Sequence, residues 1–83
     1  MYQVTLSQNA KKFLKKLDKQ HKERIITVLE RCRIRPHAHV KRLVNSPYFR
    51  LRIGNYRVIM NIKDNKLLIL VIKIAHRKEI YKE

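Results

Sequence analysis

Apolar residues recur along this chain with two different periods, and the change of period separates helical from strand segments. Tyr2, Val4 and Leu6 alternate with Gln3 and Thr5, which predicts a short first strand. The period then lengthens. Ala10, Phe13, Leu14 and Leu17 fall at i, i+3, i+4 and i+7, the apolar stripe of one helix, with Ser7 placed as its N-cap. Asp18 is placed to cap a second helix whose stripe is Ile25, Val28, Leu29 and Cys32. Arg35-Pro36 is expected to end that helix, because the residue before a proline is driven out of the α region. With so short a connection, the two helices read as an antiparallel pair.

Period two returns in Tyr48-Phe49-Arg50-Leu51-Arg52-Ile53-Gly54-Asn55-Tyr56-Arg57-Val58-Ile59, which alternates apolar and cationic residues around the only glycine in the protein. A two-residue Gly-Asn loop between such runs predicts a tight hairpin with Ile53 opposite Tyr56 and Arg52 opposite Arg57. Phe49, Leu51, Ile53, Tyr56, Val58 and Met60 then share one face, while Arg50, Arg52 and Arg57 gather on the other. Asp64-Asn65-Lys66 turns the chain into a third consecutive strand, Leu67 to Ala75. A two-residue loop there would bury Lys73 beside Tyr56. A three-residue loop aligns Leu68, Leu70, Ile72 and Ile74 with the core and sets Lys73 beside Arg57; it is preferred, because burying an unpaired lysine is costly. Residues 36–47 carry His37, His39, Lys41 and Arg42 with few apolar anchors beyond Val40 and Leu43, and are expected to be the most flexible stretch.

Composition narrows what such a chain does. Its 83 residues, 45% apolar, suit a single domain over 1–83 with one modest core, not a disordered basic tail. A net charge of +15, from 21 basic and 6 acidic residues, opposes compaction and points to a polyanionic partner. Nucleic acid comes first, an acidic protein second and an anionic membrane a distant third, since no amphipathic helix with spare bulky apolar residues is evident. Cys32 stands alone, so no internal disulfide or multi-cysteine metal site is expected; a lone thiol suits a reducing compartment, with cytoplasm the default. The longest apolar run, Leu67 to Ile72, is too short to span a bilayer, and the N-terminus does not resemble a signal peptide.

The sharpest chemical signal is the trio Arg50, Arg52 and Arg57. Guanidinium stays charged and grips phosphate oxygens bidentately. A merely solvated face would need carboxylates to offset three like charges, and this hairpin has none. Lys41, Arg42 and Lys73 extend the set of expected phosphate ligands. The run His76-Arg77-Lys78-Glu79-Ile80-Tyr81 adds groups that can move protons: His76 near neutral pH, and Tyr81 if nearby cations lower its pKa. Equally open is that Tyr81 only packs the tail onto the sheet while His76 is solvated. The lysines of the first helix serve solubility, nucleic-acid docking or both. His37 and His39 lack the partner ligands of a zinc site, Cys32 belongs to the core, and no carboxylate cluster exists to hold Mg²⁺ for two-metal nuclease chemistry. No metal and no cofactor are expected.

Leu14-Lys15-Lys16-Leu17-Asp18, the hairpin string from Tyr48 to Ile59 and the terminal His76-Arg77-Lys78-Glu79-Ile80-Tyr81 together resemble the RelE/ParE toxin superfamily, over essentially the whole chain, and most of all its RelE branch. The resemblance implies an α+β fold: an N-terminal strand, an antiparallel helix pair and a three-strand antiparallel meander. The helices would pack on one face of a twisted, mainly antiparallel four-stranded sheet. It also implies a type II toxin that cuts mRNA in the ribosomal A site without metal, by attack of a ribose 2′-hydroxyl on the adjacent phosphate. Arg57 and Arg77 would stabilise the developing charge, and Arg50 and Arg52 would position the backbone. Tyr81 or His76 would transfer protons. A cognate antitoxin, acidic or amphipathic, is the implied protein partner, beside the ribosome and mRNA. The alternatives are a ParE-type inhibitor of DNA gyrase and a basic nucleic-acid-binding domain without catalysis.

Overall fold

A computed structural model describes residues 1–76. Strand β1 (Gln3–Leu6) leads into helices α1 (Gln8–Lys16) and α2 (Lys19–Arg31), followed by a short helical turn α3 (Pro36–His39). Strands β2 (Lys41–Arg42), β3 (Phe49–Ile53), β4 (Tyr56–Lys63) and β5 (Leu68–His76) complete the order. They form one sheet, β1-β5-β4-β3-β2, in which β1 runs parallel to β5 and every other pair is antiparallel.

Both predicted caps form. Ser7 Oγ accepts from the Ala10 N–H at 3.1 Å, and Asp18 Oδ1 accepts from the His21 N–H at 3.0 Å. Helix α2 stops at Arg31, well before the proline expected to end it. Pro36 instead opens α3, where a missing N–H leaves no intrahelical bond unmade. The stretch read as a flexible loop thus holds α3 and β2, and β2 raises the sheet from the expected four strands to five. The periodic stripes meet on one sheet face. Ala10 and Leu14 of α1 and Ile25, Leu29 and Cys32 of α2 pack with Leu51, Ile53, Val58, Met60, Ile62, Ile69, Val71 and Ile74. Burial pushes the Cys32 thiol pKa up, as expected of a core cysteine.

The hairpin register is the predicted one, with Arg52 opposite Arg57 and Ile53 opposite Tyr56. Gly54 adopts φ 57°, a left-handed conformation that favours glycine, whereas the nearest side-chain atoms are the flexible end of Arg24. The register of β5 differs from the expectation. The β4–β5 connection is a single 3₁₀ turn, Asp64–Lys66, closed by Leu67 in the left-handed region at φ 50°. Lys63 then pairs with Leu68, and a bulge between Ile59 and Met60 leaves Ile72 as an extra residue between Val71 and Lys73. Ile69, Val71 and Ile74 are therefore buried, while Leu68, Leu70 and Ile72 are only half-buried. Lys73 stands opposite Ile59, one rung from Arg57 instead of beside it.

Ser7 ties the bulge to the first helix, because its Oγ–H donates to the Ile72 carbonyl at 2.6 Å while capping α1. Ser7→Ala removes the cap and strands a part-buried carbonyl. It is expected to destabilise the fold by about 1–2 kcal/mol, read as a lower urea midpoint with an unchanged slope.

Candidate functional site

The sheet face away from the helices carries the cations in two rungs. Residues opposite one another in adjacent strands project to the same side. One rung therefore runs Lys41–Arg50–Ile59–Lys73 across β2 to β5, and the next runs Arg52–Arg57–Ala75. Arg50 and Arg57 are half-buried; Lys41, Arg52 and Lys73 are exposed. A pocket of about 190 Å³ is lined by His39 at the end of α3, Lys41 of β2, and Arg50 and Arg52 of β3. Its described lining brings an imidazole together with the cationic side chains of Lys41, Arg50 and Arg52.

Other predicted site residues stand elsewhere. Arg42 pairs with Phe49, and its guanidinium lies 5.5 Å from the centre of the Phe49 ring, on the side of the sheet away from Arg50. His76 pairs with Tyr56, their rings edge to face at 5.5 Å, so it shares the helix face with Tyr56, Phe13 and His21. Arg77 and Tyr81 lie outside the described residues.

The carboxylates of the described residues are committed away from this face. Asp18 binds His21 at 2.6 Å, Glu23 reaches Lys19 at 4.0 Å and Glu30 binds Arg33 at 2.8 Å. Asp64 accepts from the Tyr2 hydroxyl at 2.6 Å and lies 2.8 Å from His37 Nε2. His37 in turn packs edge to face on Phe49 at 5.3 Å. Asp64 thus joins the start of the chain and the β4–β5 turn to α3, the element that leads into β2.

The hydroxyl of Tyr2, and then the imidazole of His37, hold the Asp64 carboxyl below its ordinary value of 3.8. The backbone N–H of His21, and then its side chain, do the same for Asp18. A depressed carboxyl pKa contributes stability that is complete above the unfolded value and is lost as pH falls through the folded one. Asp64→Asn is therefore expected to flatten the acid limb of the melting temperature below pH 3.8, leaving the part that Asp18 supplies. Melts across pH 2–7 would show it; an unchanged acid limb would remove Asp64 from the linkage.

Among the described residues, no three His, Cys, Asp or Glu side chains are grouped to hold a metal ion. No helix among them is long and apolar enough to cross a membrane.

Residues 4–81 match the family described as the ParE toxin of type II toxin-antitoxin systems, parDE. The chain belongs to this toxin family. None of the curated proteins matches it by sequence. Solved structures of RelE toxins share the fold. A chain of a RelBE toxin–antitoxin complex from Mycobacterium tuberculosis superposes with a TM-score of 0.81 at 23% identity, covering 92% of this chain and 98% of that one. The archaeal RelE–RelB complex from Pyrococcus horikoshii gives 0.81 at 25% identity, over 92% and 94%. The isolated RelE toxin of E. coli gives 0.79 at 21% identity, over 99% and 93%.

Within this toxin-family fold, the pocket residue that sequence reasoning missed is His39. Its only sequence signal was the spacing His39-Val40-Lys41, an alternation too short to declare a strand.

Proposed function

We propose that the chain is the toxin of a type II pair and a ribosome-dependent endoribonuclease that cleaves mRNA in the A site, in the cytoplasm where ribosomes translate. The observation that carries this reading is the convergence of Lys41, Arg50, Arg52, Arg57 and Lys73 on one sheet face while the described carboxylates are engaged elsewhere. In the reaction, the ribose 2′-oxygen bonds to phosphorus, the P–O5′ bond breaks, and a 2′,3′-cyclic phosphate and a 5′-hydroxyl result. One proton leaves the 2′-oxygen and another reaches the 5′-oxygen. Lys41, Arg50, Arg52 and Lys73 hold the backbone, and Arg57, joined by Arg77, offsets the extra charge on phosphorus. Tyr81 aligns or deprotonates the 2′-hydroxyl. The message supplies its own nucleophile and the ribosome its geometry, so the protein's share is charge, position and protons.

The structures from M. tuberculosis and P. horikoshii are toxin–antitoxin complexes. For this chain we propose an antitoxin, acidic or amphipathic, that covers the basic face; the charge of +15 favours such a partner. Binding only the folded toxin, it raises the melting temperature by mass action.

Primer extension on messages from cells expressing the chain tests the ribonuclease reading. Cuts within translated codons, absent when initiation is blocked, are expected; intact messages under growth arrest would overturn it. The family match to ParE favours a second reading, inhibition of DNA gyrase by binding. A supercoiling assay separates the two, since gyrase inhibition with uncut message supports only the second.

A further inference from the structure

We infer that His39 is the group that protonates the leaving 5′-oxygen. This rests on the ribonuclease reading and gives its pocket the acid that the arginines cannot provide. Guanidinium holds its protons too tightly to donate them, and a lysine ammonium ordinarily titrates near 10.4, against about 6.5 for imidazole. Among the described side chains lining the pocket, His39 is therefore the one whose chemical type suits general-acid work. His76 stands across the sheet beside Tyr56.

The position of His39 is built, although the side chain itself is exposed. It ends α3, whose first residue, Pro36, is buried. One residue further on, His37 is held by Asp64 at 2.8 Å and packs on Phe49. On the other side Val40 packs against the core, and Lys41 and Arg42 pair with Arg50 and Phe49 of β3. Anchors on both sides thus fix the backbone that carries this imidazole at the mouth of the cationic pocket. A phosphate held by Lys41, Arg50 and Arg52 would occupy the pocket that the His39 side chain also lines. In the step, imidazolium gives its proton to O5′ as the P–O5′ bond breaks. The ring is left neutral and regains a proton from solvent.

The test is single-turnover cleavage of a short synthetic message programmed into purified ribosomes, with either oxygen or sulfur at the scissile 5′-position. Sulfur departs without needing a proton. On the oxygen linkage, His39→Ala is expected to be slower by about 10²-fold or more, and His39→Gln, which keeps polarity and bulk, equally slow. On the sulfur linkage both variants should cleave close to the wild-type rate. Full activity of both variants on oxygen, or equal losses on both linkages, would overturn the assignment. Failure of the wild-type protein on both linkages would instead sink the ribonuclease reading, and this inference with it.

Discussion

Arg57→Ala is expected to reduce message cleavage on translating ribosomes by about 10²–10³-fold, the usual loss when one preorganised electrostatic partner of a transition state is removed. Three features single out this arginine. It lies on β4, inside the sheet between β3 and β5, so its backbone is held on both sides. It is half-buried, which weakens solvent screening of its charge. And it stands opposite Arg52, one rung from the Arg50 row, so the loss falls within a group of cations acting together. Arg57→Lys keeps the charge but loses the planar fork, and should fall in between, at about 10-fold. Neither change touches the core, and each melt should stay within a few degrees of wild type. Wild-type cleavage by both variants would remove Arg57 from the chemistry.

The largest effect on stability is expected from Ile69→Ala. Ile69 is fully buried in β5, paired with Val4 of β1 and Ile62 of β4, so the cavity cannot collapse without moving two neighbouring strands. Such a truncation costs about 2–5 kcal/mol, against a total of about 4–12 kcal/mol for a domain of this length. The melting temperature should drop by about 10–30 °C, followed by circular dichroism. Ile69→Val, which removes one methylene, should cost about 1 kcal/mol. A drop no larger than that for Ile69→Ala would mean that β5 is less tightly packed than its burial indicates.

The elements legible in the sequence were those whose signals agreed. At Gly54-Asn55, turn chemistry and alternation both demanded one register, and Arg52 does pair with Arg57. At Ser7 and Asp18, the capping side chains sat directly before helical stripes, and both caps form. β5 was harder because it is apolar at nearly every position, so alternation could not choose a face; the bulge at Ile72 then changed the parity midway. That bulge lets Val71 and Ile74 both reach the core while Lys73 stays on the cationic face. β2 was missed because two residues carry no period, and its pairing depends on α3, which is held by Asp64 from a distant part of the chain. The faces of the loop cations were illegible for the same reason: alternation assigns none to residues 39–42, and in the structure His39 and Lys41 line the pocket with Arg50 and Arg52 while Arg42 lies on Phe49 across the sheet.

The parallel pairing of β1 with β5 also sets an order of assembly. The helix pair and the β3–β4 hairpin close on neighbours a few residues away, whereas Gln3 meets Leu68 and the Ser7 N–H meets the Val71 carbonyl. Contacts that distant in sequence are slow to form, and β1 has no strand to join until β5 has been made. The hairpin can therefore close on local contacts alone, whereas the two ends of the described chain must meet before the sheet is sealed, which makes the first strand to be synthesised the last to lock.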